Sequence, residues 1–233
     1  MANVANRSRK NNMPQGIFFL CRKSLNRSGL FWGGECYIIS PKGTKMNMVF
    51  CHGVMGPDED WRARTYNPIK GWKYWLQFFA EFEHDVVMQL PEFPHAHVLL
   101  MKYDEWERVM DRQDINADTI LIGHSAGGGF LLKYLARHPN LRIRQAVLVA
   151  PWIDAENFQP FGFYKDFNLN NAIVAQSGQG IDLMISDDDM PHIKTSFDKI
   201  INNMSDIRVH RFSGYGHFVR PELPEIMPII KFD

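Results

Sequence analysis

Gly123-His124-Ser125-Ala126-Gly127 stands between an apolar run, TILIG (Thr119–Gly123), and a helical pattern in which Phe130, Leu131, Tyr134 and Leu135 recur. A serine hydroxyl is a weak nucleophile until a base takes its proton and a rigid turn presents it. Glycines two residues before and two after the serine suit a sharp strand-to-helix turn, because neighbouring backbones can then approach without a Cβ clash. The turn raises Oγ above the sheet edge, and the N-terminus of the following helix favours negative charge developing there. Gly127-Gly128-Gly129 in a first helical turn costs about 1 kcal/mol per residue against alanine, a penalty that close approach to a substrate or to a neighbouring strand would explain. The competing reading is a glycine-rich helix entrance that binds an anion.

A serine of this kind needs a base and a group to orient it, and both are present downstream in the order Ser…Asp…His. His217 lies in SGYGHFVR, after the run IRVHRF (Ile207–Phe212) and before a terminal helical stretch, with Gly214 and Gly216 shaping its loop. Three aspartates, Asp187, Asp188 and Asp189, follow the run IDLMIS (Ile181–Ser186). Packed like charges repel, so at least one must face water or cap the next helix. Asp187 is preferred as the orienting acid, being nearest the strand end and four residues before Pro191; Asp188 and Asp189 stay as alternatives. An oxyanion formed at the serine would need two backbone donors. The expected pair is the N–H of Ala126 and that of Val54 in MVFCHGVMG, with Met55 as runner-up to Val54. His52 and His124 are read as structural, the first bracing its loop and the second facing the adjacent structure. The acidic groups Asp58, Glu59 and Asp60 read as a solvated face, so no metal and no cofactor are assigned.

These residues require a scaffold that delivers several loops to one edge. From Met48 onward, short apolar runs alternate with amphipathic patterns, the mark of βα units and a mainly parallel sheet. The strands expected are 48–51, 85–90, 119–123, 145–150, 181–186 and 207–212. Between them Trp72, Trp75, Leu76 and Phe79 recur at helical spacing, as do Tyr103, Trp106 and Met110, and Ile193, Phe197, Ile200 and Ile201. The expectation is an α/β-hydrolase fold of six or more strands with helices on both faces. Residues 151–180 fit neither period and are rich in aromatics, which suggests a small insertion walling an apolar pocket. Residues 1–45 read as an N-terminal extension, polar over 1–14 and then offering two strands in GIFFLCRK and GGECYIIS. The domain proper is expected over 46–233.

The 26 basic and 26 acidic residues cancel, so no bulk field draws the chain to nucleic acid or an anionic membrane. No apolar run reaches the roughly 18 residues of a membrane span. A small-molecule or peptide-like substrate follows. The three cysteines, Cys21, Cys36 and Cys51, cannot all pair within one chain, which suggests a reducing, cytoplasmic setting.

With these residues in view, the chain resembles the compact α/β-hydrolases of the family that includes retinoblastoma-binding protein nine. The stretches that carry the resemblance are VFCHGVMG followed by Trp61, QLPEFP followed by YDEW, ILIGHSAGG, ISDDDMP and SGYGHF, across residues 48–220. It implies a serine hydrolase with a Ser125, Asp187, His217 triad acting on small esters or peptide-like amides; the nucleophilic chemistry read from the residues adds thioesters. The chain departs from the family in its first 45 residues, where either Met46 or Met48 is the natural start or YIISPKGTKMNMVFCHG resembles the strand-loop-strand entrance of longer α/β-hydrolases, and in the run of three aspartates where the family commonly has a Pro after the acid. A non-catalytic interaction module that keeps the fold is the alternative.

Overall fold

The computed structural model describes residues 18–21, 36–39, 46–56 and 71–233. The chain divides into two units, residues 1–45 and 46–233. In the first, β1 (Phe18–Cys21) pairs antiparallel with β2 (Cys36–Ile39), Phe18 opposite Ile39 and Cys21 opposite Cys36. The polar tail expected over 1–14, the turn between these strands, and Asp58, Glu59, Asp60 and Trp61 lie outside the described residues.

The second unit is built on one six-stranded sheet, every strand parallel to its neighbours, in the order β4-β3-β5-β6-β7-β8. The strands are β3 (Asn47–Cys51), β4 (Val87–Gln89), β5 (Thr119–His124), β6 (Gln145–Val149), β7 (Ile181–Ser186) and β8 (Arg208–Phe212). The central strands are buried on both faces, which is why they read as unbroken apolar runs and not as alternation. The edge strand β8 is largely exposed and carries Arg208, His210 and Arg211, charges that discourage pairing with another chain. A carboxylate is buried within the sheet itself: Asp182 on β7 accepts hydrogen bonds from Arg208 Nε (2.9 Å), His210 Nε2 (2.8 Å) and Gln145 Nε2 (2.7 Å). Burial alone would raise its pKa, but the bonds from Arg208, His210 and Gln145 outweigh it and the pKa is lowered.

The helices are α1 (Trp72–Glu83), α2 (Tyr103–Met110), α3 (Ala126–Arg137), the single turn α4 (Asn171–Val174) and α5 (Pro191–Asn203). Trp106 and Phe130 are wholly buried, and their rings meet edge-on at 5.5 Å, joining α2 to α3. The helical stretch expected after His217 is only a 3-10 turn, Pro224–Ile226. Pro221, Pro224 and Pro228 prevent a longer ladder there, because each lacks an N–H and restricts the residue before it. No helix among the described residues is long and apolar enough to cross a membrane.

The strand order places the site. The chain runs from β3 through α1 to β4 on one side, then crosses so that β5 lies on the other side of β3. In open parallel sheets, such a reversal opens a crevice beyond the carboxyl ends of the two strands, where ligands bind. The loop after β3 and the turn after β5 both begin at that crevice.

Candidate active site

Ser125 connects β5 to α3 with φ 56° and ψ −123°, a conformation that side chains rarely adopt and that costs on the order of 1–3 kcal/mol. The turn is held because everything around it is packed to backbone contact. A Cβ on Gly127 would lie 2.1 Å from the Cys51 carbonyl oxygen, and one on Gly129 would lie 1.8 Å from that of Trp152. A Cβ on Gly123 would meet Gly128 Cα at 2.6 Å. The triple glycine thus lets the start of α3 press against the end of β3 and the segment after β6, which is the close approach to neighbouring chain that its helix penalty required.

The loop after β3 passes directly beside the serine. A Cβ on Gly53 would fall 3.0 Å from Ser125 Cβ and 3.5 Å from Ser125 Oγ. His52 braces this loop: its Nδ1 bonds the Gly53 carbonyl (2.7 Å), and its Nε2 accepts the Phe93 N–H (3.2 Å). A carbonyl can only accept, so the proton sits on Nδ1, and burial lowers the pKa of the imidazole. Of the backbone donors considered, Met55 N–H is taken by the Ala96 carbonyl at 3.0 Å. Among the described residues, the N–H groups of Val54 and Ala126 donate to no protein acceptor.

His217 sits in a loop where Gly214 (φ 76°) and Gly216 (φ 51°) supply left-handed turns. The acid against it is Asp189, which corrects the expectation of Asp187. Asp189 Oδ1 and Oδ2 lie 3.0 and 3.2 Å from His217 Nδ1, and its side chain is fully enclosed. Asp187 still belongs to the ladder, its N–H bonding the Phe212 carbonyl at 3.0 Å, and its exposed carboxylate faces a hollow of about 180 Å³ lined by Lys194, Asp198 and Arg211. The chain must turn before a carboxylate can reach back over the sheet edge. That turn closes with Asp189 N–H on the Ser186 carbonyl, 3.3 Å away. Asp188, also exposed, bonds Ser186 Oγ and the Gly216 N–H. Among the described residues no hydrogen bond joins Ser125 Oγ to His217, a distance that commonly tightens only with substrate bound.

Two residues hold this loop in place, the first of them read from the sequence as structural. His124 Nε2 donates to the His217 carbonyl at 2.9 Å, and its ring packs 5.0 Å from that of His217. Enclosure and the neighbouring His217 push the His124 pKa down to about 3, so it is a neutral strut. Trp72 donates its N–H to the Arg220 carbonyl at 3.0 Å and lays its ring edge-on to His124. The helical pattern identified Trp72 as core, and nothing in the sequence marked its contact with the histidine loop.

The aromatics of residues 151–180 range from buried to exposed, with Phe167 between the extremes. Trp152, Phe163 and Tyr164 are buried, whereas Phe158 and Phe161 are more than half exposed. Phe163 packs edge-on to Trp106 at 5.1 Å, and the Tyr164 hydroxyl bonds the Ala126 carbonyl at 2.9 Å. Lys133, buried on α3, donates to the carbonyls of Phe163 (2.9 Å) and Lys165 (2.6 Å) and lies 4.3 Å over the Tyr103 ring. Much of this segment is therefore core tied to the helix that bears the serine, and less of it is pocket wall than its composition suggested. Among the described residues no cluster of three or more His, Cys, Asp or Glu is placed to hold a metal.

Residues 104–196 match the model of the α/β-hydrolase fold family. No curated protein sequence matches the chain. Among solved structures, the ydeN gene product of Bacillus subtilis is 17% identical, with a TM-score of 0.60 over 80% of this chain and 96% of that one. A chain assigned as a ydeN-like hydrolase from Pectobacterium atrosepticum is also 17% identical, with a TM-score of 0.51 over 76% of this chain and 80% of the other. A carboxylesterase structure from Nitrososphaera gargenis is 13% identical, with a TM-score of 0.51 over 79% and 88%. With a parallel six-stranded sheet, a strained serine turn after β5 and a histidine loop after β8, this chain has the α/β-hydrolase fold.

Proposed function

We propose that this protein is a serine hydrolase that cleaves a small ester, thioester or peptide-like amide through an acyl-enzyme. The reading is supported by Ser125 in its strained turn, by its neighbour His124, whose ring packs 5.0 Å from that of His217, and by the His217–Asp189 pair. Asp189 accepts the Nδ1 proton of His217, which leaves the Nε2 lone pair to act as base. His217 takes the Ser125 proton as Oγ attacks the acyl carbon, and the N–H groups of Ala126 and Val54 hold the oxyanion. The protonated His217 returns the proton to the leaving group. It then draws a proton from water, whose oxygen attacks the acyl carbon, and gives that proton to Ser125 Oγ as the acyl–serine bond breaks and the acid leaves. Esters and thioesters should react faster than amides, whose leaving group is poorer.

The compact hydrolases related to retinoblastoma-binding protein nine are the relatives we favour, on the stretches across residues 48–220. A cytoplasmic setting is part of the proposal, supported by the three cysteines and by Cys51 being a buried free thiol. The test is labelling with a fluorophosphonate probe, followed by turnover of p-nitrophenyl esters of graded chain length beside aminoacyl amides. The parent should be labelled at Ser125, and Ser125→Ala should be unlabelled, folded and at least about a thousandfold slower. A parent that takes no label and turns over no ester would instead support a binding module on a hydrolase scaffold.

A further inference from the structure

We propose that Ser186 and Asp188 are positioning residues that fix the distance between His217 and Asp189, an inference that rests on the triad reading above. Ser186 ends β7 with its side chain wholly buried. Its Oγ accepts the Tyr215 N–H at 3.1 Å and donates its own proton to Asp188 Oδ1. Asp188 Oδ1 also accepts the Gly216 N–H at 3.0 Å. The two consecutive N–H groups that precede His217 are therefore both held by the turn that, one residue later, presents Asp189 to the same histidine.

The arrangement is a closed ring. The turn grips the backbone before His217 through Ser186 and Asp188, and grips its side chain through Asp189. Such a grip matters here because Gly214 and Gly216 are both left-handed, and the loop's own backbone bond across His217 is that of the Phe218 N–H to the Tyr215 carbonyl at 3.0 Å. His124 fixes only the carbonyl after the imidazole. Without Asp188 the Gly216 N–H would turn to water, and the approach of Nδ1 to the carboxylate would no longer be set. Hydrogen bonds from Ser186 and then Gly216 hold the Asp188 carboxyl below its ordinary pKa, so the clamp is charged at neutral pH.

The test compares Asp188→Ala, which removes the acceptor, with Asp188→Asn, which keeps an Oδ1 able to take both bonds. Asp187→Asn, on the exposed neighbour, serves as control. Asp188→Ala should lower kcat by about tenfold to a hundredfold, the scale on which an ångström of misplacement acts. KM should stay within about twofold, and the acid limb of the kcat–pH profile should move to lower pH, because imidazolium loses support from Asp189. Asp188→Asn should recover most of the rate, and the control should match the parent.

A second readout does not depend on catalysis. The His217 Nδ1 proton should be seen far downfield by NMR in the parent and in Asp188→Asn, and should be lost or moved upfield in Asp188→Ala. If the parent neither labels nor turns over, the functional reading fails, and the NMR comparison still decides the clamp. The inference is overturned if Asp188→Ala keeps the parent's Nδ1 signal and kcat. It is equally overturned if Asn and Ala are impaired alike, since charge and not an acceptor at that point would then be responsible.

Discussion

Replacing Asp189 by Asn should disable the site through the loss of one charge. Asp189 Oδ1 accepts the Met190 N–H at 2.7 Å, so the amide oxygen of Asn stays there, still 3.0 Å from His217 Nδ1, and the NH₂ takes the place of Oδ2, 3.2 Å away. The imidazolium formed when His217 takes the Ser125 proton then faces a neutral amide with a competing donor instead of a carboxylate. The loss expected is about 10⁴ in kcat, as in the Ser-His-Asp protease template, or about 5.4 kcal/mol of activation free energy. The melting temperature should change little, because size is conserved and the Met190 bond survives. Turnover of a p-nitrophenyl ester, measured beside thermal melting for Asp187→Asn and Asp189→Asn, checks this. Asp189→Asn within about tenfold of the parent, with Asp187→Asn slowed by orders of magnitude, would refute the argument.

Gly127→Ala should cost about 1–3 kcal/mol or more and most of the turnover, because its Cβ would lie 2.1 Å from the Cys51 carbonyl and 2.7 Å from that of His52, and a backbone cannot swing aside; melting and ester turnover measure both losses. Asp182 has a folded pKa below its unfolded value, so its contribution to stability is complete above the ordinary carboxylate pKa near 4 and is lost as pH falls. Urea titrations between pH 3 and 6 should show Asp182→Asn less stable at the upper end and flatter in its acid limb. Lys133→Met should loosen residues 163–165, whose carbonyls lose their donor; hydrogen exchange should rise there before it rises in the sheet.

The strands of the main sheet were legible because buried parallel strands write themselves as apolar runs, and IDLMIS ended where the structure ends it, at Ser186. The strained turn at Ser125 was legible because it demands small residues at fixed offsets, and the loop of His217 because of the glycines in it. The carboxylate that faces His217 was misread for a physical reason. Proximity to the strand end was taken as the criterion, but Asp187 is still held in the ladder by Phe212, a partner 25 positions away that no local pattern reveals. The relevant signal was the reversal that must separate a parallel strand from the next helix, which favours the carboxylate at the far side of the turn. The aromatics of 151–180 were equally ambiguous. Composition cannot tell Phe163, fully buried beside Trp106, from Phe161, which faces solvent beside Lys102.

The backbone at Ser125 carries a consequence for how this protein could be improved. With φ at 56° and ψ at −123°, the position is one that glycine occupies with far less strain than serine. The relief, up to a few kcal/mol before glycine's own entropic cost, is large beside the margin by which an ordinary domain is stable. A selection for heat resistance or soluble expression, made without a demand for turnover, would therefore favour Ser125→Gly, giving a tougher protein with no nucleophile. Hardening this scaffold by directed evolution requires an activity screen in every round, since the residue that chemistry most needs is the one that folding would most readily discard.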